Sequence, residues 1–99
     1  MKPIDQIPDM PALRVEIDAL DRQIILLLAR RRDLIARAAQ IKAGNGWPAR
    51  IDARVEEVIA NARRHAAAEG LDPELIGAIW RQLVEAAIAQ EERHLKEQE

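Results

Sequence analysis

The stretch Leu13-Arg14-Val15-Glu16-Ile17-Asp18-Ala19-Leu20-Asp21-Arg22-Gln23-Ile24-Ile25-Leu26-Leu27-Leu28-Ala29-Arg30-Arg31 decides how this chain is read. Apolar residues recur through it and beyond at Leu13, Ile17, Leu20, Ile24, Leu27/Leu28, Leu34/Ile35, Ala38 and Ile41. Alternating steps of three and four place them on one face of an α-helix. No Gly or Pro interrupts positions 12–43. The pattern therefore predicts one long helix over about 10–43, with Asp9 as N-cap and Pro11 in its first turn.

Working outward, Gly44-Asn45-Gly46-Trp47-Pro48 is the clearest breaker in the sequence. A second helix is predicted over about 50–69, with Ile51, Val55, Val58/Ile59, Ala62 and Ala66 facing inward and Gly70 closing it. Asp72-Pro73 restarts the chain as N-cap and first helical residue of a third helix, over about 73–96. Its stripe is Ile76, Ile79/Trp80, Leu83/Val84, Ala87 and Ile88. No strand signal and no internal repeat is present, so the expectation is an all-α three-helix protomer forming a single domain over 1–99.

The first helix poses a geometric problem. At ~1.5 Å per residue it is ~50 Å long, whereas a compact 100-residue domain has a radius of gyration of only ~13 Å. Two shorter helices of the same chain cannot cover the overhanging stripe. A second copy can, and the expected assembly is an intertwined homodimer with twofold symmetry.

Composition narrows the chemistry. The 99 residues include no Cys, Tyr or Phe, and also no Ser or Thr. Nucleophilic catalysis through a hydroxyl or thiol is thereby excluded, as are disulfides and cysteine-bound zinc. His65 and His94 lack metal-ligand spacing, and neither a metal nor another cofactor is expected. Met1-Lys2-Pro3-Ile4-Asp5 has no apolar h-region, and the run Ile24–Ala29 is far short of the ~20 residues of a membrane span. A cytoplasmic location without membrane attachment is the expectation.

Charge is unevenly spread: residues 14–64 carry 11 basic and 7 acidic side chains, whereas 65–99 carry 3 basic and 8 acidic. The basic half suggests an anionic partner, and the acidic tail argues against broad nucleic-acid binding. Arg30-Arg31-Arg32 points three ways around a helix and has no aromatic interleaving, which argues against a nucleic-acid patch.

The informative residues are charges that interrupt an apolar face. Arg31 lies four residues past Leu27, and Lys42 eleven further on, about 20° away around the helix. Each either pairs with an acidic side chain or snorkels at an edge, or the two belong to a pocket for an anionic small molecule. Arg14, seventeen residues before Arg31, cannot share a site with it within one chain. In an antiparallel dimer the start of one long helix lies beside the middle of the other, which gives a composite site; the alternative is an ordinary solvated arginine. Arg54 directly precedes inward-facing Val55. Glu91, seven past Val84, falls on the apolar side of the third helix, unless the helix end frays there with Glu92 and Arg93. Desolvation at such a position favours the neutral acid, and a neighbouring cation opposes it.

These residues resemble a known family. Leu13-Arg14-x-Glu16-Ile17-Asp18-x-Leu20-Asp21, then Leu27-Leu28-Ala29-Arg30-Arg31, then Lys42, and later Gly70-Leu71-Asp72-Pro73 through Ile79-Trp80, are similar to the all-helical chorismate mutases over residues 10–95. The resemblance implies an intertwined dimer of three-helix protomers. It also implies a cofactor-free pericyclic rearrangement of chorismate, a dicarboxylate, to prephenate in aromatic amino-acid biosynthesis. Carried over by position, Arg14 from the partner chain and Arg31 would each bind a substrate carboxylate. Lys42 would bind the ether oxygen and a carboxylate, and Arg54, Val55 and Ile88 would be substrate-binding positions. Two positions depart from the pattern. Val55 stands where many members carry a glutamate contacting the ring hydroxyl, and Glu91 where many carry a glutamine donating to the ether oxygen. The first is shared with isochorismate pyruvate lyases, an alternative activity on the same fold. The second implies a glutamate that donates only when protonated. A non-catalytic helical dimer that binds a partner is a further alternative, and docking on another shikimate-pathway enzyme is left open.

Overall fold

The computed structural model describes residues 3–97; residues 1, 2, 98 and 99, which the expected domain 1–99 includes, lie outside the described residues. A short 3-10 turn, Ile4–Gln6, precedes three helices, α1 (Met10–Asn45), α2 (Asp52–Ala68) and α3 (Pro73–Glu97), and there is no strand among the described residues. The chain divides into two compact units, Met1–Asp33 and Leu34–Glu99, with α1 running through the boundary.

In the first unit, Asp9 starts α1 as its composition dictates. The Asp9 carboxylate accepts from the Ala12 N–H at 2.9 Å and its carbonyl from the Leu13 N–H at 3.0 Å, which satisfies two otherwise orphaned donors. From there the apolar stripe stands uncovered. Ile24 is 47% exposed and Leu27 67% exposed, and Val15, Ile17 and Leu20 are exposed as well. No part of this unit's α1 residues is buried. Nothing within this unit covers the stripe.

The second unit holds the core. Val55 and Ile59 of α2 pack with Val84 and Ile88 of α3 and with Ala49 of the preceding loop, and Val58 and Leu95 close the edges. Each of the larger aliphatic side chains contributes roughly 1.5–3 kcal/mol by leaving water. Farther along the α2–α3 contact, a Cβ at Gly77 would meet the Arg63 side chain at 3.1 Å, so the glycine lets the Arg63 stem lie across α3. Arg63 then bonds Glu74 in the first turn of that helix.

Helix ends follow from two glycines in the left-handed region. Gly46 has φ +71°, and the Trp47 N–H donates back to the Lys42 carbonyl at 2.9 Å. Gly70 has φ +73°, with the Leu71 N–H on the Ala66 carbonyl (2.8 Å) and the Gly70 N–H on that of Ala67 (3.2 Å). The second has both bonds of a Schellman closure and the first its longer one. Asp72 caps α3 by accepting the Glu74 N–H at 2.9 Å.

Three boundaries correct the sequence reading. α1 ends at Asn45 and not near residue 43, because Gly44 and Asn45 keep helical backbone and only Gly46 turns left-handed. α2 spans Asp52–Ala68 and not 50–69, because Ile51 is still extended (φ −124°, ψ 102°). α3 continues one residue past 96, to Glu97. Ile79, assigned to the inward stripe, is exposed; Gly77 is the buried residue on that stretch.

Candidate active site

The second unit buries an ion pair. Lys42, in the last turn of α1, places its Nζ 2.8 Å from Glu91 Oε2 on α3, with only 17% and 6% of the two side chains exposed. The same ammonium donates to the Ala49 backbone carbonyl at 2.7 Å. Lys42 therefore gives one N–H to a charge and another to a neutral acceptor, out of three. Glu91 is the one buried charged residue among the described residues, on the same α3 face as Val84 and Ile88. Its position is no frayed helix end, since α3 continues six residues beyond it.

Burial of such a pair is expensive. Desolvation of two charges consumes much of their attraction, so two apolar residues would hold these helices together at least as well. What the pair supplies is an ammonium and a carboxyl group, held at the edge of an apolar wall that includes Val55 and Ile88.

The arginines divide differently. Among the described residues, neither Arg14 nor Arg31 engages in an ion pair or side-chain hydrogen bond; Arg14 is exposed and Arg31 part-buried. Pairing with an acidic side chain of the same chain, one of the alternatives for Arg31, is not found there. Arg54 is exposed and bonds Glu57 one helical turn on, while its neighbour Val55 is buried in the core. Arg54 also sits at the rim of an apolar groove of about 320 Å³, walled by Val58, Ala62, Ala66, Ile76 and Trp80. The structure thus joins Lys42 directly to Glu91, places Val55 and Ile88 in the adjoining core, and leaves Arg54 in a surface ion pair.

Two contributors escaped the sequence. The Ala49 carbonyl is backbone, and no side-chain pattern announces it. Arg50 and Glu85, 35 residues apart, pair across the loop and α3, with Arg50 Nη2 donating to Glu85 Oε1 at 2.7 Å. The Arg50 guanidinium holds the Glu85 carboxyl below its usual range through that hydrogen bond, and Glu85 in turn raises the proton affinity of Arg50. No helix is long and apolar enough to cross a membrane among the described residues.

Known proteins are similar to this chain over most of its length. The chain is 31% identical over 85 residues to the T-protein of Enterobacter agglomerans, covering 86% of this chain and 23% of that protein. It is 41% identical over 64 residues to the 4-amino-4-deoxychorismate mutase of Streptomyces venezuelae, covering 65% and 62%. The protein of the same name from Streptomyces pristinaespiralis is 31% identical over 71 residues, covering 72% and 55%. The chain thus spans less than two thirds of the length of these curated relatives. No solved structure matches. Residues 13–92, which contain Arg14, Arg31, Lys42, Arg54, Val55, Ile88 and Glu91, match the family described as chorismate mutase type II, and on that match over most of its length the chain belongs to that family.

Proposed function

We propose that this chain catalyses the rearrangement of chorismate to prephenate, the isomerisation at the head of aromatic amino-acid biosynthesis, as a cytoplasmic homodimer. The observation that carries the reading is the Lys42–Glu91 pair, an ammonium with one N–H to spare held beside a carboxyl group at an apolar wall in a family member. A pericyclic shift needs no nucleophile, which suits a chain without Ser, Thr, Cys or Tyr. It needs the substrate held in its folded, near-attack form, and donors where charge develops on the breaking ether oxygen.

In this reading Arg31 and, from a second copy, Arg14 bind the two carboxylates, for which their planar forks are suited. Among the described residues neither arginine is engaged in an ion pair, which leaves both forks available for those roles. Lys42 donates to the ether oxygen, and Glu91 does so when protonated. Arg54 serves as a further substrate-binding arginine, exchanging a surface ion pair of the kind worth ~1 kcal/mol or less. Val55 and Ile88 provide apolar contact. The exposed stripe of α1 supports the dimer, because a second α1 is an apolar surface of matching length.

Val55 favours a second reading, isochorismate pyruvate lyase, and the names of the Streptomyces relatives add 4-amino-4-deoxychorismate as a substrate. Chorismate, isochorismate and 4-amino-4-deoxychorismate are each incubated with purified protein, and prephenate, salicylate and the rearranged amino acid are assayed separately. Prephenate as the fastest product is expected; salicylate alone would overturn the reading, and inertness toward all three would leave a binding module.

Glu91 is tested by an isostere. Glu91→Gln keeps the shape of the side chain and brings an N–H donor, so it is expected to keep or raise kcat/KM near neutrality. An inactive Glu91→Gln enzyme removes Glu91 from the reaction.

A further inference from the structure

The Ala49 carbonyl that receives the Lys42 ammonium belongs to the peptide plane between Ala49 and Arg50. A peptide unit is planar and can turn only about the line joining its two Cα atoms, so holding the Cα–Cβ bonds at both ends restricts where its oxygen points. At one end Ala49 is 6% exposed and packed among Val55, Ile59, Val84 and Ile88. At the other, Arg50 is tied by its side chain to Glu85 on α3. Glu85 lies six residues before Glu91, so α3 grips this region twice, once through Arg50 and once through Lys42 itself. The chain between Lys42 and Ala49 is also closed at its start, by the Trp47 N–H on the Lys42 carbonyl. A lysine side chain has four rotatable carbons and loses a large rotamer entropy when held. Two acceptors at 2.7 and 2.8 Å set its ammonium in place, and one of them is the carbonyl of the peptide that links Ala49 to Arg50.

We infer that Arg50 and Glu85 are positioning residues: their ion pair aims the Ala49 carbonyl and thereby sets the Lys42 ammonium for a ligand. As a surface ion pair it is worth little to stability; its effect falls on the placement of one amine. This inference rests on the proposed role of Lys42, but its first readout does not need activity.

The chain has three lysines, Lys2, Lys42 and Lys96, so pulse acetylation with an N-hydroxysuccinimide ester, read by peptide mass spectrometry, resolves each amine. Exposed Lys96 is the internal standard. In Arg50→Gln and in Glu85→Gln, Lys42 acetylates about fivefold or more faster relative to Lys96, while hydrogen exchange of core amides in α2 and α3 stays as in wild type. The reversed pair Arg50→Glu/Glu85→Arg restores the slow rate. In turnover of chorismate, kcat falls about tenfold in the single variants with KM changed far less, as expected for a misplaced donor. Unchanged Lys42 reactivity in both single variants overturns the inference, and so does a rise that merely tracks faster exchange throughout α2 and α3. A rise confined to Lys42 in a protein whose wild type turns over no substrate upholds the positioning device and overturns the proposed function.

Discussion

Lys42→Ala loses at least a thousandfold in kcat/KM, about 4 kcal/mol of transition-state stabilisation, and is destabilised in the same stroke. The substitution removes the donor proposed for the ether oxygen and leaves Glu91, 6% exposed, without its cation. A buried charge deprived of its partner costs about 3–5 kcal/mol. Lost activity alone would therefore be ambiguous, and the double variant Lys42→Met/Glu91→Leu separates the two effects. With both charges gone only the Ala49 carbonyl loses a partner, and the urea midpoint recovers most of what Lys42→Ala loses. Activity does not return. A double variant as active as wild type would place catalysis elsewhere; one as unstable as Lys42→Ala would mean that the pair matters for more than mutual compensation.

Arg14→Ala and Arg31→Ala are each nearly inactive, and a mixture allowed to exchange subunits recovers activity. If each site takes Arg31 from one chain and Arg14 from the other, a heterodimer of the two variants assembles one site with both intact and one with neither. At full exchange half of the dimers are heterodimers, so the mixture approaches a quarter of the wild-type rate. Exchange is followed independently by mass spectrometry of isotopically labelled chains. A mixture that exchanges yet stays inactive rules out the composite site. Arg31→Lys retains the charge but not the fork, and is expected to lose about 10²-fold in kcat/KM.

How much of this was legible in the sequence depended on whether one residue type carries the signal. Asp9, Gly70 and Asp72-Pro73 act through a short side chain or a missing one, and the structure uses each as its chemistry dictates. Gly44-Asn45-Gly46 offered two glycines for one turn, and only backbone geometry selects Gly46. Glu91 could be read as a buried carboxyl from its spacing after Val84 and Ala87. Its cation could not be assigned, because contact with Lys42 depends on how α1 meets α3. Ile79 and Gly77 show the limit of counting every third or fourth apolar residue: the buried position on that stretch is a glycine, over which the Arg63 stem lies. The Arg50–Glu85 pair joins a loop to a helix and obeys no periodicity at all.

The core-bearing helices α2 and α3 are joined by four residues, Glu69–Asp72, so most contacts of the second unit form between segments close in sequence. Structures of that kind form quickly, because little chain entropy is lost before apolar contact compensates it. The first unit has no such resource, its apolar side chains being uncovered by their own chain. Refolding of the whole protein should therefore divide in time. An early rise in helical ellipticity would be independent of protein concentration, and a later one, as residues 10–33 meet another chain, would accelerate in proportion to it. In the proposed dimer, a newly made polypeptide carries a bare run of isoleucines and leucines until another copy covers it, and its choice of neighbour in that interval is a matter of how many copies are being translated nearby.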